Sequence, residues 1–269
     1  MTTATLELAT SGAQKSNLAF ALARLPRERR QHALVFYNFC RVVDDIADDE
    51  FRPASEKQTL LDHWKSALAS GHGLPEPLAE VLAAHRIDRH LLVEIILGVE
   101  QDIHPHDFAT YQDLQKYCWR VACAVGLVSI EIFGCVDPQS KVYAEQLGHA
   151  LQMTNILRDV GEDAQLGRVY LPLEDLAKYD LTADQIRQGR PGPSFEELMR
   201  FEAARAHEYF RGARAALPHS DARALAPAEA MRAIYGKILS RMEADHFRVF
   251  EKRYRVPLWQ KLWLLARPR

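Results

Sequence analysis

Strand signals are sparse in this 269-residue chain. It carries no glycine-rich strand-turn-helix fingerprint for a dinucleotide, and no apolar run approaches the ~20 residues of a membrane span. The first absence argues against a sheet-based fold, and the third against a spanning helix. The only cysteines, Cys40, Cys118, Cys123 and Cys135, show neither CxxC pairing nor zinc spacing. They read as small buried side chains in a reducing compartment, which makes the cytosol the expected location. Residues 1–14 lack a basic segment followed by an apolar core, so neither secretion nor membrane insertion is predicted; they read as a loose tail. A formal charge of -2 offers no basic excess, and no nucleic-acid partner is expected.

What the chain has is helix. With 48% hydrophobic and 26% charged residues it can bury one sizeable core, and residues 1–269 read as a single domain. Amphipathic stretches run over 91–99, 118–133, 142–160, 195–216 and 228–250. The expected fold is all-α, a helical bundle around a deep cavity. Breaks fall at Gly71 to Pro75, His104-Pro105, Asp137-Pro138, Gly189 to Pro193 and Pro218, all too short to be interdomain linkers. His104, His106 and Asp107 read as a polar loop at a proline turn rather than a metal site. Ala122, Ala124, Gly126 and Ser129 leave two readings open: room for a long apolar ligand, or close helix packing.

Two acidic strings carry the chemistry. Asp44-Asp45-Ile46-Ala47-Asp48 and Asn155 through Asp163 each set carboxylates four residues apart, on one helix face. Like charges held that close repel, and burial raises their pKa values unless a cation sits between them. Mg²⁺ suits such a site, because it is held by one or two carboxylates plus phosphate oxygens rather than by a complete protein cage. The polar stripes continue as Tyr37, Arg41, Asp44, Asp48 and as Gln152, Asn155, Asp159, Asp163, while Phe36, Phe39, Val43, Ile156, Leu157 and Val160 occupy other faces. An acidic run on a helix is more often a solvated face. Here there are two, and the first lies near a helix C-terminus, before Pro53, where the macrodipole disfavours negative charge. A divalent-metal clamp for a diphosphate is the expectation.

The segments Phe36 to Asp48, Tyr117 to Gly126 and Gln152 through Asp163 to Pro172 closely resemble the squalene/phytoene synthase family. The resemblance runs from about Lys15, through Leu25-Pro26, to Ala233 through Leu239. It implies an isoprenoid-synthase bundle and head-to-head prenyl transfer, in which two allylic diphosphates condense through a cyclopropyl diphosphate. By matching positions, Asp44, Asp48, Asn155, Asp159 and Asp163 serve as metal ligands for Mg²⁺, with Mn²⁺ as a substitute. Arg41, Gln152, Arg158, Arg168 and Tyr170 are the diphosphate contacts, and Tyr37, Tyr117 and Tyr235 the cavity tyrosines that face a carbocation. Ionisation needs the departing pyrophosphate neutralised by metal and arginine. Pyrophosphate itself can take the proton lost in ring closure, so no side-chain base is assigned.

The expected reaction joins two farnesyl diphosphates to presqualene diphosphate, and onward to squalene if NADPH is used; the alternative is phytoene from geranylgeranyl diphosphate. Head-to-tail elongation and terpene cyclisation fit less well. The second motif is Asn-x-x-x-Asp-x-x-x-Asp rather than a repeated DDxxD, and it lacks a cyclase's serine. A non-catalytic scaffold is disfavoured by two complete stripes. One departure stands out: Leu18 in Lys15 to Phe20 replaces the usual Phe of the segment that covers the diphosphates. The stretch 248–269 mixes basic residues with Phe250, Tyr254, Trp259 and Trp263, leaving peripheral contact with the inner face of a membrane open beside packing on the bundle. Oligomeric state is unreadable from the sequence.

Overall fold

A computed structural model describes residues 21–257 and 260 of the chain. The Leu18 substitution, residues 1–14 and most of the apolar residues of the C-terminal stretch lie outside them. Among the described residues there is no strand, and the chain is an all-α bundle around a central cavity.

Helix α1, Arg27–Asp48, buries Ala33, Phe36, Phe39, Val43 and Ala47, a 3–4 spacing that makes one apolar face. Phe39 meets the fully buried Trp64 of α2 (Ala54–Ser70) edge to face, with centroids 5.3 Å apart. α2 stops at Gly71, whose φ of +76° is the left-handed cap that glycine supplies at little cost. Next come α3 (Glu76–Ala84), α4 (Arg89–Val99) and a 3₁₀ turn at Glu100–Asp102. α1 to α4, with one face of α6, enclose one apolar core.

The stretch 118–133, expected as one helix, is three pieces. α5 (Tyr111–Cys118) passes into a π-helical turn, Trp119–Cys123, and then into α6 (Ala124–Phe133). The wide turn fits because glycines flank it. A Cβ on Gly98 of α4 would lie 2.7 Å from Val121, and one on Gly148 would lie 2.7 Å from the Cα of Cys123. Such π turns gather at functional sites.

The longest helix, α7 (Gln139–Gln165), carries the second acidic string, and α10 (Phe195–Ala216) packs along it after the short α8 (Leu173–Lys178) and α9 (Ala183–Arg187). α11 (Ala226–Ala244) completes a second core with α5, α7 and α10. The expected helix over 228–250 therefore ends early. His246 and Phe247 take positive φ of 54° and 51°, and the chain turns back as a strap over residues 248–257. That strap crosses α7 at Gly161, where any Cβ would collide with the carbonyl of Val249.

Among the described residues no helix is long and apolar enough to cross a membrane. Cys118 and Cys123 are buried and Cys40 and Cys135 half-buried, all four free. The loop at His104 to Asp107 is polar, with Asp107 paired to Arg187.

Candidate active site

The two acidic helices face one cavity of about 790 Å³. α1 contributes Tyr37, Arg41 and Asp44 to its wall, and α7 contributes Gln152, Asn155 and Arg158. Tyr117 from α5 and Tyr235 from α11 complete a polar and aromatic collar. Behind it the wall is apolar: Phe36, Ile95, Val99, Val125, Ile132 and Phe133. The open question over the small residues resolves position by position. Ala122 and Ser129 line the cavity, Ala124 is buried in the core, and Gly126 serves packing, since a Cβ there would lie 3.0 Å from the carbonyl of Ala144.

Arginines hold the carboxylates. Arg41 donates to Asp44 at 2.8 Å and also pairs with Asp45. Arg158 grips Asp159 with two parallel bonds of 2.8 and 2.5 Å, the fork geometry that suits a carboxylate. Arg168 reaches across 120 residues of sequence to Asp48 at 2.8 Å. Even so, burial first and Asp48 second push Asp44 up to about 6. Burial first and Asp159 second push Asp163 up to about 7.

Sequence reasoning missed two site residues. Asp102, at the end of the 3₁₀ turn, accepts from Tyr170 at 2.6 Å and from Tyr117 at 2.9 Å, and burial raises its carboxyl above the ordinary range. It also adds to the negative field at both Asp44 and Asp163, so it lies near both clusters. No spacing pattern flags it, because it stands alone past the end of α4. Arg253, on the strap, lines the cavity and lies 3.1 Å from Asp159 and 2.9 Å from Glu162. In sequence it belongs to the basic and apolar stretch 248–269, for which membrane contact and packing on the bundle are both open, and no motif marks it as a site residue.

Of the expected site residues, Asp48, Asp159, Asp163, Arg168 and Tyr170 do not line the main cavity. Arg168 bonds Asp48 and the Asp102 carbonyl, and Tyr170 the Asp102 carboxylate. Tyr117 is buried with its hydroxyl satisfied and also faces the cavity, while the Tyr235 ring lies 6.0 Å from the Arg158 guanidinium.

The expected metal ligands supply only oxygen donors, as a hard cation requires. Asn155 offers a buried Oδ1 that accepts no hydrogen bond, while its amide reaches Gln152 at 3.4 Å. With two carboxyls driven upward by burial and then by a neighbouring carboxylate, the donor set fits Mg²⁺. Among the described residues no three His, Cys, Asp or Glu side chains converge as a ready-made ligand group.

A bundle whose cavity joins a charged collar to an apolar body belongs to the class of enzymes that handle an anionic headgroup on an apolar tail. The chain matches the squalene/phytoene synthase family over residues 12–260 and belongs to it. It is 35% identical to a phytoene synthase of Arthrospira platensis, over 90% of this chain and 84% of that one. It is 34% identical to a presqualene diphosphate synthase of Zymomonas mobilis, over 96% and 90%. In structure it resembles a squalene synthase of Alicyclobacillus acidocaldarius, with a TM-score of 0.77, 27% identity and coverage of 87% and 90%. It is a head-to-head prenyl synthase by family.

Proposed function

We propose that this protein condenses two farnesyl diphosphates head to head into presqualene diphosphate, with reduction onward to squalene where NADPH is supplied. The cavity's charged rim and apolar wall fit a prenyl diphosphate. What supports the C15 choice is the similarity to the presqualene diphosphate synthase of Zymomonas mobilis, which extends over 96% of this chain against 90% for the Arthrospira relative. A second reading, phytoene from two geranylgeranyl diphosphates, is favoured by the name of the Arthrospira relative.

Asp44, Asp48, Asn155, Asp159 and Asp163 would hold Mg²⁺, in a family that depends on divalent metal. Bound there, the ion supplies Lewis-acid neutralisation of the diphosphate. The protein's own share is positional. Arg41, Arg158 and Arg253 sit at the collar, where a diphosphate exchanges them from carboxylates to phosphate oxygens, and Gln152 reaches the same rim. Tyr37, Tyr117 and Tyr235 belong to the collar, where aromatic rings can stabilise a cation, and the apolar walls exclude water from the reacting carbons.

Purified protein incubated with Mg²⁺ and labelled C15 or C20 diphosphate, with and without NADPH, tests this by mass spectrometry of the extract. A C30 product from the C15 substrate is expected. Phytoene from the C20 substrate alone would transfer the protein to the second reading, and no condensation with either would reject both.

A further inference from the structure

Both carboxylate oxygens of Asp102 are capped, and both by phenols. Tyr170 donates to Oδ1 at 2.6 Å and Tyr117 to Oδ2 at 2.9 Å. Arg168 bonds only the main-chain carbonyl of Asp102, at 3.3 Å, and gives its other arm to Asp48. The two phenol rings stand 5.3 Å apart, and Phe108 packs against both at 5.4 and 6.0 Å. Asp102 and Tyr117 line the cavity, so this capped anion faces the volume in which an ionised prenyl chain would lie.

A carboxylate beside an allylic cation has two opposed effects. Its field stabilises the positive charge, strongly so in a site that excludes water. Its lone pairs also trap the cation as an ester. Phenolic O–H groups on both oxygens engage those lone pairs while leaving the charge in place. In return the anion polarises the phenols, and an electron-rich ring face holds a cation better.

We propose that Asp102 is a masked counter-anion: a positioning residue that acts through Tyr117 to stabilise the allylic carbocation, while the Tyr117 and Tyr170 phenols keep its oxygens from alkylation. The inference rests on reading the cavity as a site where prenyl diphosphates ionise. Unmasked, Asp102 reacts in a defined way. The C1–O bond of the prenyl diphosphate breaks with its electron pair leaving on diphosphate, and an Asp102 oxygen lone pair forms the new C1–O ester bond. No oxidation state changes and no proton is transferred.

The test uses the full chain with Mg²⁺ and labelled farnesyl diphosphate, and reads three quantities: diphosphate release, extracted products and intact protein mass. The Tyr117→Phe/Tyr170→Phe variant is expected to gain the mass of one prenyl group, mapped to the peptide holding Asp102, and to lose that gain when Asp102→Asn is added. Alone, Asp102→Asn is expected to lower condensation about a hundredfold, comparable to losing one oxyanion donor. It should also raise the share of prenyl alcohol formed by water capture, a partition that a purely structural role would not move. A wild-type rate and partition in Asp102→Asn would overturn the proposal, as would a double-Phe variant that releases diphosphate yet stays unprenylated. Where Asp102→Asn does not fold, the mass of the double-Phe variant decides alone. A wild-type protein that releases diphosphate from neither the C15 nor the C20 substrate defeats the ionisation reading itself, and the inference with it.

Discussion

Gly161 of α7 lies directly under Val249 of the C-terminal strap, so closely that a methyl group on the glycine has no room beneath the Val249 carbonyl. This contact sets the strap across the second acidic string and brings Arg253 to Asp159 and Glu162. On helix propensity alone, Gly161→Ala should stabilise α7 by about 1 kcal/mol. The collision outweighs that gain, at roughly 1–3 kcal/mol for overpacking against backbone. Gly161→Ala should therefore lower the unfolding midpoint, and a raised midpoint would show that the strap yields freely.

Asp44→Asn and Asp159→Asn should each abolish turnover and leave the fold intact, as judged by circular dichroism and thermal unfolding. Near-normal activity in either variant at saturating Mg²⁺ would remove the metal-clamp assignment.

The same carboxylates predict a pH dependence. Asp44 and Asp163 are raised to about 6 and about 7, above an ordinary value of 3.8. The folded state thus binds more protons than the unfolded state between about pH 4 and 7. Their contribution to stability without metal therefore falls as pH rises through that window. Metal binding has to strip these protons, so Mg²⁺ affinity should weaken as pH drops from 7 to 6. Calorimetry in two buffers of different ionisation enthalpy should detect proton release at pH 6.5; binding with no proton release would contradict the crowded-carboxylate account.

Asp221 behaves in the opposite sense. Burial pulls its carboxyl upward, but the Asp137 N–H, the Ser140 hydroxyl and the Val136 N–H outweigh burial and hold it below the ordinary range. Its contribution is present above about pH 4 and lost as pH falls through the depressed value. Asp221→Ala orphans these donors at the start of α7 and should cost about 2–4 kcal/mol, measured by urea unfolding at pH 7. The gap from wild type should narrow in acid.

Phe36 is buried deep in the α1 wall of the cavity. Phe36→Leu should deepen the apolar end at a stability cost of roughly 1–2 kcal/mol, and raise turnover of C20 relative to C15 diphosphate. An unchanged ratio in paired product analyses would place the length limit elsewhere.

The helices were legible because their apolar spacing is local. The span 195–216 matches α10 residue for residue, and Tyr37, Arg41 and Asp44 share a face for reasons contained in 3.6 residues per turn. Where the reading failed, distant backbone intervened. The π turn at Trp119–Cys123 fits between Gly98 and Gly148, more than twenty residues away on either side, and α11 ends at Ala244 because the strap folds back onto α7.

The sequence by itself determined the all-α class, the two acidic stripes and the family, since each depends on residues within a few turns of one another or on ordered motifs. Only the tertiary structure decided that Asp102 stands near both clusters with two phenols on its carboxylate, that Arg253 pairs with Asp159, and that Arg168 joins Asp48 to the Asp102 carbonyl. Asp102 and Arg253 stand alone in sequence, outside any periodic stripe. Their chemistry arises from proximity across a fold, where burial and opposed charge act through space rather than along the chain.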